Sequence, residues 1–419
     1  MNPASAAVRR TYLTLQLLTT LATSLIWGVN TLFLLDAGLS NFEAFAANAF
    51  FTAGMMAFEV PTGVVADLRG RRLSFLLGAS TLCAMTLLYV WMWHVHADFV
   101  WWALVSVGLG LGFTFFSGAV EAWLVDALTS TGYEGELDAV FGNGQAVQGA
   151  AMLVGSVGGG LLAQAGSLGL PFVARAVLLA LTFVVAWVAM HDLGFEPEVG
   201  KSPRAEVGRI WHDSLEQGLG QRPVRWVMLT SPFIGGVNVY AFYAMQPYLL
   251  QLYGSRTAYG IAGLAAAIVA GAQVVGGLLG PRMRRLVHRR TSWLLLALAT
   301  STVALAAVGL VDSFAGVVVL LVAWSFGFAA AVPVRQAYLN GLIPSRQRAT
   351  VLSFDSLLGS AGGVVLQPGL GRLADLSGYA PTFLLSAAFQ ALALPLLGLA
   401  RRERAVTDVV VREAEPHAG

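Results

Sequence analysis

The feature that most constrains this chain is the recurrence of apolar runs about 20 residues long, separated by short polar loops. A run of that length crosses the roughly 30 Å hydrocarbon core as a helix, and only a closed helix or barrel pairs its own backbone groups there. Twelve such runs fit in the 419 residues, near 12–35, 42–66, 73–94, 99–127, 138–165, 171–191, 224–252, 257–281, 290–311, 314–341, 348–374 and 379–400. The composition agrees: 57% of residues are apolar and 11% charged, where a soluble domain carries about 25% charge. The chain reads as an all-α membrane protein.

Placement of the 25 basic residues sets the expected orientation, because short Arg- and Lys-rich loops stay cytoplasmic. The two termini and the even-numbered loops, with adjoining helix ends, hold 21 of them. Both termini are therefore expected in the cytoplasm. Only Arg256 and Arg372 fall outside, while Arg175 and Arg335 lie within spans. Trp91, Trp93, Trp101 and Trp102 bracket one outer loop and read as a headgroup belt. Arg175, near the outer end of the sixth span, is expected to snorkel to water. The first run follows Arg9 and Arg10 like a signal sequence but reads as a retained helix, since no convincing small-residue cleavage site follows it.

Several classes of chemistry lack support. A net charge of +2, segregated to one face, gives no reason to invoke nucleic acid. Cys83 is the single cysteine, which excludes an intramolecular disulfide and a thiolate cluster. His94 and His96 lie at an outer loop without matching ligands, so no metal is expected. No phosphate loop, nucleophile elbow or His-Glu metal motif appears, so neither an enzyme nor a cofactor is implied. The predominance of Arg over Lys is a weak pointer to a GC-rich bacterial genome.

The halves look related. A shift of 214 lays Gly63–Asp67 over Gly277–Pro281 and Glu121–Asp126 over Arg335–Asn340; beyond the fourth run a shift of 211 lays Gly158–Gly160 over Gly369–Gly371. A parallel repeat of six helices accounts for this. The expected organisation is a six-helix bundle over 1–192, a cytoplasmic connector over 193–223, a second bundle over 224–400 and a tail over 401–419. Any short amphipathic helix in the connector, for example over 207–219, would lie on the membrane surface, and the tail lacks apolar periodicity and is expected to be disordered.

Between the second and third runs, residues 63–72 read GVVADLRGRR. This resembles the loop between the second and third helices of the major facilitator superfamily, of pattern G-x-x-x-D-R-x-G-R-R, with Leu68 in place of a basic residue. The resemblance implies twelve transmembrane helices in two pseudo-symmetric six-helix bundles. It also implies that Asp67, Arg71 and Asp126 form a cytoplasmic latch, with Gly63 admitting a neighbouring helix, Gly70 making the turn and Arg72 beside it, the alternative being a loop that only fixes topology. In the fifth run, Gly155–Gly160 is similar to the superfamily's antiporter motif, although Ala151 and Ser156 depart from it; glycine packing alone is the other reading.

Charged groups within hydrocarbon are costly and so mark functional candidates. Glu59, Glu121 and Asp355 are candidates for proton coupling. Glu121 and Arg335 occupy duplicated positions, which suggests a gate pairing across a central cavity; the alternative is local pairing, Arg335 with Asp355. Asn238, Tyr240, Tyr243, Gln246 and Pro247 enrich the seventh run in aromatic and amide groups, and Trp27 with Asn30 do so in the first. These are substrate-binding candidates, with core packing as the competing reading. An apolar wall with sparse polar groups suits an amphiphilic molecule better than a sugar.

The resulting expectation is a secondary transporter of the drug/proton antiporter type in a bacterial plasma membrane, acting as a monomer. Its partners would be the lipid bilayer, protons and a small-molecule substrate exported by alternating access, an activity associated with multidrug resistance. An importer or uniporter on the same fold, and a membrane sensor, stay open as alternatives.

Overall fold

The computed structural model describes residues 3–195, 208, 218–344 and 347–409. It contains helices and, among the described residues, no strand beyond one isolated bridge. The helices are α1 (Pro3–Ser24), α2 (Asn30–Asp36), α3 (Asn41–Arg69), α4 (Arg71–Val95), α5 (Phe99–Thr114), α6 (Ala119–Ser130), α7 (Leu137–Ala165) and α8 (Leu170–Ala189). They continue with α9 (Arg222–Met228), α10 (Ser231–Tyr253), α11 (Tyr259–Met283), α12 (Arg290–Val308), α13 (Phe314–Leu342), α14 (Arg348–Ser377), α15 (Tyr379–Ala391) and α16 (Ala393–Arg402). Among the described residues, ten helical stretches are long and apolar enough to cross a membrane. Two more, α1 with α2 and α14, fall where the first and eleventh spans are expected, which is consistent with twelve. The connector over 193–223, with the stretch near 207–219 where a surface helix was considered, lies mostly outside the described residues.

Four spans are broken where the sequence reads as continuous. The first parts at residues 25–29, where Trp27 and Val29 donate to carbonyls three residues back. The fourth parts before Gly118, whose φ of 69° places it in the left-handed region that glycine enters without a Cβ clash. Met228 and Ser231 flank the break in the seventh span. The twelfth parts at Leu392, one turn before Pro395, whose ring clashes with the carbonyl four residues back.

Contacts divide the chain into two compact units that differ from the sequence halves. One contains residues 1–208 with 238–270 and 363–382; the other contains 209–237, 271–362 and 383–419. In the first unit, a glycine face on α7 receives the broken first span: a Cβ at Gly159 would overlap the Leu25 carbonyl, and one at Gly155 would overlap the Ser24 hydroxyl. A Cβ at Gly160 would lie 2.9 Å from Gly263 on α11. Small residues thus let three backbones approach, as expected for packing without a hydrophobic drive between helices.

Two expectations about the periphery are corrected. Trp91 and Trp101 are exposed as a belt requires, but Trp102 is buried among Phe33 and Tyr89, and Trp93 donates to Asp36 at 2.8 Å. Residues 401–409 of the tail make long-range contacts, and the rest of the tail lies outside the described residues. Asp408 accepts from the backbone N–H and hydroxyl of Thr291 at 2.8 and 3.0 Å, Arg290 donates to the Thr407 carbonyl, and Val409 bridges Arg289. Aspartate at the first turn of α12 is favoured by the helix dipole, a long-range partnership that local periodicity does not reveal.

Candidate functional site

A cavity of about 240 Å³ lies inside the first unit. Its walls are largely apolar, with Ile26, Phe51, Met55, Leu109, Phe113 and Phe172, and its polar groups come from Thr23, Trp27, Asn30, Asn48, Thr86, Tyr89, Arg175 and Tyr243. The broken first span places Trp27 and Asn30 there, and Asn30 donates to Asn48 Oδ1 at 3.0 Å. Tyr89 is held by Ser106 and packs edge-on against Trp102, 4.9 Å between centroids. Of the predicted binding residues, the cavity thus gathers Trp27, Asn30 and Tyr243.

Arg175 corrects the snorkelling expectation. It is 6% exposed and lines this cavity. Pro171, Phe172, Arg175, Leu179, Thr182 and Ala186 form one buried stripe on α8, so helical geometry turns the guanidinium inward with its apolar neighbours. Asn48 was not singled out from the sequence.

The remaining residues predicted on the seventh span serve other places. Tyr240 is buried against Phe45, 4.7 Å between centroids, with its hydroxyl toward the Leu370 carbonyl. Gln246 donates to the Trp27 carbonyl at 2.7 Å and accepts from the Thr31 N–H at 2.9 Å. Its amide therefore satisfies backbone groups that the break in the first span releases. Asn238 is half-buried with its side-chain oxygen unpartnered. At the end of this unit that carries Trp93, Asp375 accepts from the backbone N–H groups of Asn41 and Phe42 and from Asn41 Nδ2, each at 2.9 Å. Tyr379 donates to Asn41, and Gly371 lets α14 approach Phe45.

The acids separate into different surroundings. Glu59 accepts from the Ser117 hydroxyl at 3.0 Å, and Glu121 from Gln16 Nε2 at 2.9 Å. In the second unit Arg335 grips Asp355 through both terminal nitrogens, at 2.5 and 2.7 Å. The same guanidinium donates to the Ser231 hydroxyl and to the Val227 carbonyl at the break in the seventh span, and Ser231 donates to Asp355 at 2.6 Å. Local pairing is therefore what this structure contains for Arg335, and Glu121 makes its own bond within the first unit.

In the loop over 63–72, Arg71 pairs with Asp67 one turn earlier at 2.6 Å, and Gly70 adopts φ 101°. Gly63 faces open space. Asp192, absent from the sequence argument, accepts from the Arg72 N–H at 2.9 Å, and a Cβ at Gly70 would meet its carboxylate at 2.6 Å. Arg72 donates to the Trp187 carbonyl and stacks over that indole at 5.1 Å. No described hydrogen bond engages the Asp126 carboxylate; its carbonyl lies against Gly194. No cluster of three or more metal-ligating side chains occurs among the described residues.

Comparison with known proteins bears on this architecture as a whole. No curated protein matches the sequence. A structure of the nucleoside transporter NupG, a D323A mutant, aligns over 93% of this chain and 99% of its own with a TM-score of 0.79 at 11% identity. A bacterial homolog of the human lysosomal transporter Spinster, in an inward-facing and occupied conformation, aligns over 96% and 98% with a TM-score of 0.72 at 16% identity. A POT family transporter in complex with a thioalcohol-conjugated peptide aligns over 94% and 96% with a TM-score of 0.72 at 12% identity. Such identities establish the fold alone. The family model of the Major Facilitator Superfamily matches residues 12–366. With that match over most of the chain and helices in the corresponding places, the protein is a membrane transporter belonging to the Major Facilitator Superfamily.

Proposed function

We propose that this transporter exports small amphiphilic organic molecules in exchange for protons, by alternating access, from a bacterial cytoplasm across the plasma membrane. The observation that carries this reading is the cavity in the first unit, apolar over most of its wall and furnished with few polar groups. Sites of that make-up hold an apolar body and use sparse polar groups to orient it. The glycine face of α7 adds support through its similarity to the antiporter motif. Both termini are cytoplasmic in this reading, and one chain is the functional unit.

The state described is closed at the end bearing Trp93. Supporting this are the sealing contacts of Gln246 and Asp375 within the first unit, which must separate for that end to open. The halves over 1–192 and 224–400 are the moving bodies in this proposal, with Asp67, Arg71 and Asp126 forming the cytoplasmic latch in the opposite state. Glu121 and Glu59 are the first choices for the coupled proton. Asp355 is engaged by a cation, whereas each of the glutamates meets a neutral donor. A membrane carboxylate without a counter-charge is the kind of group that changes protonation as access alternates.

The test is transport in vesicles containing the purified protein, with a compound panel and an imposed pH gradient. Accumulation that follows the gradient, and that Glu121→Gln or Glu59→Gln converts into downhill exchange, supports proton antiport. Gradient-independent flux for every substrate, or full accumulation in Glu59→Gln, Glu121→Gln and Asp355→Asn alike, refutes it.

A further inference from the structure

We infer that the cavity recognises an organic anion, specifically a small carboxylate with an apolar body, and that Arg175 is the residue that reads its charge. This rests on the transporter reading above and names the substrate class of the same site.

The argument begins with a cation that lacks its counter-ion. Arg175 is 6% exposed and lines the cavity, yet its Nε has no partner and no ion pair reaches it among the described residues. Among the described residues no carboxylate lines the cavity. The arrangement around Arg335 shows the usual solution in this protein: that guanidinium is satisfied by Asp355, Ser231 and a backbone carbonyl. Charges within a membrane protein normally find such partners, because leaving one unpaired away from water is costly. Arg175 departs from that pattern at the place where a ligand has room to supply the missing charge.

The other polar groups select for an acceptor-rich ligand. Asn30 occupies Asn48 Oδ1, which leaves the buried Asn48 Nδ2 with no partner. Two unpartnered donors, one charged and one neutral, therefore border a cavity whose remaining wall is mainly aromatic and aliphatic. A carboxylate matches the planar guanidinium fork in two parallel bonds, which an ammonium cannot reproduce. An amine would bring a second positive charge against Arg175. A sugar would leave most hydroxyls facing apolar surface. At about 30 Å³ per water in the liquid, 240 Å³ holds about eight waters, so the ligand is small.

Binding of 3-phenylpropionate, its amide and 3-phenylpropylamine to the purified protein, with octanoate and octanamide as a second body, tests this by calorimetry. Both carboxylates are expected to bind at least about tenfold more tightly than their amides, with the amine weakest. Arg175→Gln is expected to make carboxylate and amide bind alike, and Arg175→Lys to keep part of the preference. Ile26→Trp, which fills the cavity from an apolar wall, is expected to abolish binding of both and serves if Arg175→Gln does not fold. The proposal is overturned if no carboxylate binds up to about 10 mM, if amide or amine binds as well as the acid, or if the preference survives Arg175→Gln or Ile26→Trp. Calorimetry reads binding without transport. A protein that prefers acids yet shows no gradient-driven flux sinks the antiport reading alone, and flux of neutral or cationic compounds without acid binding sinks only this one.

Discussion

Asp375→Asn is the most direct perturbation of the closed end. The native carboxylate receives three hydrogen bonds of 2.9 Å, two from backbone N–H groups in the first turn of α3 and one from Asn41 Nδ2. A hydrogen bond to a charged group contributes about 1.5–3 kcal/mol, and a charge at a helix terminus about 0.3–1 kcal/mol. Asp375 is exposed, so screening favours the lower ends of those ranges. The amide keeps one acceptor oxygen and turns an NH₂ toward a donor. The net loss is about 1.5–2 kcal/mol, which moves the equilibrium about ten- to thirtyfold toward opening at that end. The assay is labelling of an Ile26→Cys reporter by an impermeant thiol reagent confined to the Asp375 side, on a Cys83→Ser background. Faster labelling is expected in the aspartate variant at equal protein yield. An unchanged rate together with normal folding would remove Asp375 from the closure and return it to a local helix cap.

Three further outcomes follow from contacts already described. Arg335→Gln and Asp355→Asn should each destabilise the protein by about 3–5 kcal/mol, because either leaves its partner's charge buried and unpaired; the double variant should lose much less than the sum, and additive shifts in thermal unfolding would contradict the pairing. Gln246→Ala should cost about 1–3 kcal/mol for each backbone group it leaves unsatisfied, read as a lower unfolding temperature, and a Gln246→Ala protein as stable as the parent would mean that the break in the first span is satisfied in some other way. Gly159→Ala should collapse membrane expression because its Cβ overlaps the Leu25 carbonyl, whereas Gly158→Ala, whose nearest neighbour is 4.0 Å away, should be tolerated; equal yields would refute the close packing of α7 on the first span.

Most of the architecture was legible because membrane solvation makes each span declare itself over about 20 consecutive residues. The turn at Gly70 was legible for a similar reason, since its geometry depends on one residue and its neighbours. The break at residues 25–29 was not: no proline marks it, and the group that stabilises it, the Gln246 amide, lies more than 200 residues away. Gln246 and Tyr240 were drawn into the binding set by residue type, although their contacts are made with backbone and core. Arg175 shows the reverse. Its place near the outer end of the span suggested an escape to water, yet the stripe it shares with Phe172, Leu179 and Thr182 carried the inward direction at 3.6-residue periodicity. Asp192 and Asp408 could not be found locally, because each binds the start of a helix 117 or more residues away.

The clasp formed by Asp408 and Val409 decides how this protein can be handled. A tag or fusion partner joined directly after Arg402 would discard the carboxylate that holds the start of α12 and the Thr407 contacts to Arg290 and the Tyr338 carbonyl. A junction placed after Val409 keeps all of them. Loss of signal in a shortened, fluorescently labelled protein would then report a loosened second unit, and would say nothing of whether the residues removed take part in moving substrate.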